Sequence, residues 1–317
     1  MKKQNEIPEV DIYIDEEKGV IREVKPKEQK TRSKKAHERR VNAGVYILLI
    51  LMSIIWLAPF VFLVFQSFRS YALESGGMVD YLLPKIWSLD NYRWLLNSEN
   101  CNFLRWYRNT LIIALFCAVI QTMMVLSVSY ALSRLRFKGR KLIMNVTLVL
   151  GLFPGFLTMI TLYFLLKQMG LTQEGAIPGL ILIYCASSGM GYYISKGFFD
   201  TIPRSLDESA RIDGATRAQV FLKIIMPLSK PIIIYTILMA FMGPWGDYVF
   251  ASYVAFGSEP NYNVAVGLYR WVNVADYQGY FTRFCAGGVL VAVPITILFM
   301  CLQKYYVEGV TGGAVKG

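Results

Sequence analysis

The chain has 317 residues, 55% of them hydrophobic and only 17% charged, with a mean hydropathy of +0.40, a balance on the apolar side of soluble domains that makes lipid its expected solvent. A net charge of +11 would suit nucleic acid, but in a membrane protein the same excess is expected in cytoplasmic loops. The single histidine, His37, and five widely spaced cysteines, Cys101, Cys117, Cys185, Cys285 and Cys301, exclude a histidine-based triad, a multi-histidine metal centre and CxxC chemistry. The cysteines sit mostly in apolar runs and read as packing residues.

Residues 1–43 form a polar, basic amino-terminal extension without the apolar core of a secretory signal, so the tail is expected to stay in the cytoplasm. It is expected to lack a fold of its own up to about Lys30, with a surface helix as an option for the basic stretch Lys25–Arg40.

Residues 44–306 read as a six-span membrane domain. A bilayer core of about 30 Å needs ~20 apolar residues per helix. Six segments meet that need: Gly44 to Gln66, Arg108 to Leu132, Ile143 to Leu166, Ile177 to Phe198, Pro231 to Phe256 and Phe284 to Gln303. Pro154-Gly155, Gly189-Met190-Gly191, Gly243-Pro244 and Pro294 predict breaks or close packing. With the amino terminus inside, 25 of the 33 Lys and Arg fall in cytoplasmic segments, which predicts an all-α membrane protein with both termini cytoplasmic. Their spread over several loops, with no single stripe, also removes nucleic acid as a partner.

Two external segments are rich in aromatics. Arg69 to Tyr107 holds Trp87, Tyr92, Trp94 and Trp106; Gly257 to Arg283 holds Tyr262, Tyr269, Trp271, Tyr277 and Tyr280. Each reads as an interfacial belt or as a docking surface for an extracytoplasmic binding protein.

The loop at about 200–227, between the fourth and fifth spans, carries the most information. Ser205 with Glu208, and Thr216 with Gln219, have capping-box spacing, so two short helices are expected. Gly214 stops the first by adopting a left-handed conformation, and Pro227 interrupts the second. Small residues at Ser209, Ala210 and Ala215 suit close approach by a partner; a helical hairpin lying on the lipid surface fits the same local pattern.

The loop resembles the signature of the permease family of binding-protein-dependent ABC importers, which reads E-A-A, three residues, G, nine residues, I-x-L-P. Glu208, Ser209, Ala210, Gly214, Ile224 and Pro227 fall on its positions, with Asp213 and Ala215 completing D-G-A. Ser209 replaces Ala and Met226 replaces Leu, both near in volume. The carboxyl-terminal run Val307 to Gly317 is similar to the end of the carbohydrate branch of that family, the maltose-transporter (MalG) type. The resemblance covers Gly44 to Gly317 and makes 307–317 a cytoplasmic tail that can reach the ATPase dimer.

This resemblance implies a MetI-like fold in a prokaryotic plasma membrane, importing sugars, with malto-oligosaccharides or related oligosaccharides first among them. The implied partners are a second homologous permease, two ATPase subunits and an extracytoplasmic sugar-binding protein. ATP and Mg would sit on the ATPase and no cofactor on this chain, in keeping with the lack of a GxxxxGK[ST] loop in the sequence. Residues Leu206, Glu208, Ser209, Ala210, Asp213, Gly214 and Ala215 are the expected ATPase-coupling set. Trp245 and Asp247 are translocation-path candidates, since an ionisable group inside a span tends to face a cavity or partner; packing between permeases explains them as well. The rival reading is an ion-coupled secondary transporter, which broken helices also suit, although no internal repeat is visible. A membrane-embedded enzyme would need paired carboxylates or His clusters at membrane depth, and the sequence has none.

Overall fold

The computed structural model describes residues 12–15, 20–23, 29–79, 81–97, 99, 101–186, 189–273 and 279–314. Tyr277 and residues 315–317 of the expected tail lie outside them. The chain divides into two compact units, residues 1–61 and 62–317.

The first unit corrects one expectation. Residues before Lys30 include an antiparallel hairpin of β1, Ile12–Asp15, and β2, Val20–Glu23, in the register Ile12↔Glu23 and Ile14↔Ile21. Its β-branched Ile and Val favour extended backbone where composition alone suggested coil. Helix α1, Gln29–Ser67, then runs unbroken from the basic stretch into the first span, Val41–Ser67. Large side chains such as Ile55 and Trp56 are exposed along this span, a surface suited to hydrocarbon.

Four stretches among the described residues are long and apolar enough to cross a bilayer: Val41–Ser67, Phe103–Arg134, Gln173–Thr201 and Phe281–Tyr305. Two bent pairs of apolar helices add up to two more where each pair is one broken span. Helices α2, Tyr71–Glu74, and α3, Asp90–Leu96, precede the second span, which consists of α4, Phe103–Phe116, a π turn at Cys117–Gln121, and α5, Thr122–Arg134. The third expected span is the pair α6, Arg140–Gly151, and α7, Gly155–Gln168, bent by 102° at the anticipated Pro154. The fourth is α8, Ala176–Ala186, followed by α9, Gly189–Thr201.

The interhelical loop holds α10, Arg204–Ile212, and α11, Arg217–Val220; a π turn at Phe221–Ile225 leads into α12, Met226–Leu228. The 85° bend into α13, Lys230–Gly246, falls at Ser229, two residues beyond Pro227. Pro227 lies just after the π turn, and the helical backbone continues through it to Leu228 before the bend. Similarly, α13 continues through Gly243-Pro244 and stops only at Asp247, before α14, Val249–Val254. Helix α15, Val264–Asn273, was not expected; α16, Phe281–Ala314, passes through Pro294.

In the second unit α13 packs on α16, α4 and the π turn, while α5 lies along α9. The two aromatic segments pack against each other. Trp106 and Trp271 meet at 5.5 Å, Trp94 and Trp271 at 5.7 Å, and Trp106, Trp271 and Tyr262 are buried. Gly267 permits the contact, because a Cβ there would strike the Trp106 ring. The adjoining loop is fixed by Asn109, which donates to the carbonyls of Pro260 (2.9 Å) and Tyr262 (3.0 Å). In the segment between the first and second spans Glu74 accepts from the Tyr81 hydroxyl (2.8 Å) and the Ile86 amide. Burial pushes its carboxyl up, but these bonds and the Arg69 guanidinium outweigh that and hold it below the ordinary glutamate value.

Candidate functional site

Two regions collect the residues singled out by the sequence. The first is the loop helix α10. It begins at Arg204 with Pro203 as its cap residue, so Ser205 lies inside the helix and its expected capping box with Glu208 is absent. The second expected box is present: Gln219 N donates to Thr216 Oγ1 (3.3 Å) and Thr216 N to Gln219 Oε1 (2.8 Å). Gly214 stops α10 as anticipated. Its φ is +87°, its N–H donates to the Arg211 carbonyl (3.1 Å), and Ala215 N donates to the Ala210 carbonyl (2.9 Å). This pair of bonds is the Schellman stop, which satisfies the last carbonyls of the helix.

The small residues divide between two faces. Ala210 and Ala215 turn inward and pack on a buried cluster of Leu126, Tyr130, Phe199, Ile202, Val220, Ile225 and Ile232. Leu206, Glu208, Ser209, Asp213 and Gly214 stay exposed. Ile212, which sequence reasoning missed, is 86% exposed, an unusual position for a large apolar side chain outside the spans.

Arg134, at the end of α5, was missed as well, and it joins α10 to the rest of the unit. Its side chain is 4% exposed and donates to the carbonyls of Phe199 and Ile202, each at 2.7 Å. The same guanidinium lies 3.5 Å from Asp207 on α10. Neighbouring bonds reinforce it: Ser133 Oγ donates to Asp200 (2.6 Å) and Arg204 to the Ser133 carbonyl (3.4 Å). Helix α10 is therefore held by the ends of α5 and α9 as well as by its own flanking chain. A basin of about 350 Å³ lies beside this clamp, where Arg134, Arg136, Arg204, Arg211 and Arg217 outnumber Asp207 and Glu208. Such a positive surface favours an acidic counterpart.

The second region surrounds the break after α13. Asp247 Oδ2 accepts from the Tyr184 hydroxyl, Oδ1 accepts from Phe250 N (3.1 Å), and Asn263 donates to the Asp247 carbonyl (2.7 Å). The carboxylate thus caps α14 while lining a cavity of about 440 Å³ together with Gln121, Thr158, Met159 and Tyr184. Trp245 is apart from it. That indole is 4% exposed and packs against Tyr107 (5.2 Å) and Phe241 (5.9 Å), so the structure separates the two path candidates. Among the described residues no cluster of His, Cys, Asp and Glu could hold a metal.

The chain as a whole is similar to known proteins. The sequence pattern of the family described as "Binding-protein-dependent transport system inner membrane component" matches residues 123–312. The galactooligosaccharides transport system permease protein GanQ of Bacillus subtilis is 36% identical over 275 residues, covering 86% of this chain and 94% of the relative. The maltodextrin transport system permease protein MdxG of the same organism is 34% identical over 278 residues, covering 86% and 95%. A crystal structure of a bacterial ABC transporter that imports the acidic polysaccharide alginate contains a chain with the same fold, at a TM-score of 0.70 and 23% identity, covering 85% of this chain and 98% of that one.

Proposed function

The chain belongs to the family of binding-protein-dependent transport system inner membrane components, and on that footing we propose that it is one of two permeases in an ATP-driven importer of neutral oligosaccharides. Family membership makes it a multi-pass subunit of a bacterial inner-membrane ABC importer and sets aside the ion-coupled carrier. The galacto-oligosaccharide and maltodextrin relatives support the sugar class, with malto-oligosaccharides first.

The observation that carries the mechanism is the stiff, clamped α10. Its inner face is fixed to span ends through Arg134 and the apolar cluster, and its outer face presents Leu206, Ser209, Ile212 and Asp213. In this reading the outer face seats in a groove of an ATPase subunit that carries ATP and Mg. Closure of the ATPases moves α10 as a rigid body, and the clamp passes that motion to α5 and α9. Glu208 faces the cationic basin and holds the loop's shape or meets a basic partner group, while Gly214 fixes the turn. Both termini are cytoplasmic, which puts α10 on the same side as the ATPases, and residues 307–317 form a second contact with them. The partners are a second homologous permease, two ATPases and a sugar-loaded external binding protein.

The test is purification of the complex from its native membrane, followed by calorimetry of the co-purifying binding protein against malto-, galacto- and xylo-oligosaccharides. Tight binding of a neutral oligosaccharide together with an associated ATPase supports the proposal. Isolation of the chain as a homo-oligomer lacking any ATPase contradicts it.

A further inference from the structure

The cavity beside Asp247 does not end there. A second space of about 290 Å³ adjoins it, lined by Val125, Ile194, Tyr235 and Thr236 toward the end where α5 and α9 reach the Arg134 clamp. The two spaces share Gln121, Met239 and Ala240, so those three residues lie where the spaces adjoin. Gln121 owes its place to backbone geometry. It is the last residue of the π turn Cys117–Gln121, and the extra residue in such a turn shifts the helical faces that follow it, a device often found at functional sites.

The chemistry around this junction is mixed. Thr158, Tyr184 and Asp247 bring polar groups to the upper cavity, while Phe153 and Phe250 supply aromatic walls. Sugar rings need that combination, hydrogen-bonding groups for their hydroxyls and apolar surface for their C–H faces. An amide is suited to a passing hydroxylated ligand because it donates and accepts at once. Polar side chains at membrane depth are costly against hydrocarbon and belong on a hydrated path. Met239, on the other wall, is flexible enough to narrow or clear the passage.

Building on the importer reading, we propose that Gln121 and Met239 form a sugar-contacting neck through which the oligosaccharide passes from the cavity at Asp247 to the space above the clamp. This chain then contributes substrate contacts of its own, in addition to its coupling role.

Thiol labelling of the intact complex in vesicles tests this. Gln121→Cys and Val119→Cys are each made in a background with Cys101, Cys117, Cys185, Cys285 and Cys301 replaced by Ala and treated with a charged methanethiosulfonate, Val119 being exposed but lining neither cavity. The expected result is labelling of Gln121→Cys faster by about tenfold or more, equivalent to ~1.4 kcal/mol in the barrier. Equal rates overturn the proposal. In a second arm Gln121→Leu keeps the bulk and removes the amide; its uptake of the sugar imported by the unsubstituted complex should fall about tenfold, with partial recovery in Gln121→Asn. Uptake unchanged in Gln121→Leu also overturns it. Failure of the importer reading is separate, since it would appear as absent binding-protein-stimulated ATP hydrolysis in the unsubstituted complex.

Discussion

Replacing Arg134 by alanine removes the clamp while leaving the span helices and the outer face of α10 in place. The substitution leaves the Phe199 and Ile202 carbonyls without their 2.7 Å donors and Asp207 without its cation. Hydrogen bonds to a charged group contribute about 1.5–3 kcal/mol each, and removing one partner of a buried ion pair costs about 3–5 kcal/mol. These terms describe the same guanidinium and do not add. Asp207 retains some access to water, so roughly 3–4 kcal/mol is expected for the loosening of α10 from α5 and α9. Arg134→Lys keeps the charge and loses the fork that serves two carbonyls, and it should cost about half as much. In proteoliposomes Arg134→Ala should reduce binding-protein-dependent sugar uptake by more than about tenfold while the chain still inserts. Adding Asp207→Asn removes the uncompensated carboxylate and should recover part of the loss, which a double-mutant cycle measures. Uptake within about twofold of the unsubstituted complex in Arg134→Ala would refute the reasoning, because a lever detached from its spans transmits nothing.

Gly214→Asp should abolish stimulated ATP hydrolysis without preventing membrane insertion, because a side chain at φ +87° strains the Schellman stop; Gly214→Asn, better tolerated there, should be milder. The check is hydrolysis by the reconstituted complex. Gly267→Ala should lower the thermal unfolding midpoint in detergent, since its Cβ meets the Trp106 ring and overpacking costs about 1–3 kcal/mol. For Glu74 the sign follows from a lowered folded-state pKa: its stabilising effect is complete above the ordinary glutamate range and is lost as the pH falls through the folded value. Protection from hydrogen exchange across residues 71–86, taken relative to the intrinsic rate at each pH, should therefore fall in acid, and Glu74→Gln should remove that acid dependence.

Much of the architecture was legible because it rests on local physics. Four of the six apolar segments read from the sequence are long apolar helices and the other two are bent pairs, since a bilayer demands a fixed length of hydrophobic helix. Gly214 was readable as a helix stop because the left-handed conformation favours glycine, and Thr216 with Gln219 formed the box their spacing suggested. Ser205 with Glu208 had the same spacing and misled, because Pro203 starts the helix two residues earlier. Arg134 was illegible for a different reason: its acceptors lie 65 and 68 residues away, and no local pattern reports them. Trp245 and Asp247 are near neighbours in sequence, yet one packs in the core and the other lines a cavity, a distinction made only by the break at the end of α13. Helix α15 was hidden for a similar reason, its Trp271 serving the Trp106 contact where an aromatic-rich loop suggested the interface.

The coupling claim is tested most directly at Ile212. A cysteine placed there, paired with cysteines scanned along the surface of the ATPase subunit, should form a short-span cross-link in the assembled complex. The account predicts a cross-link whose yield changes when the ATPases close on nucleotide. A residue 212 that reacts with water-soluble reagent in every state and joins no other chain would contradict it.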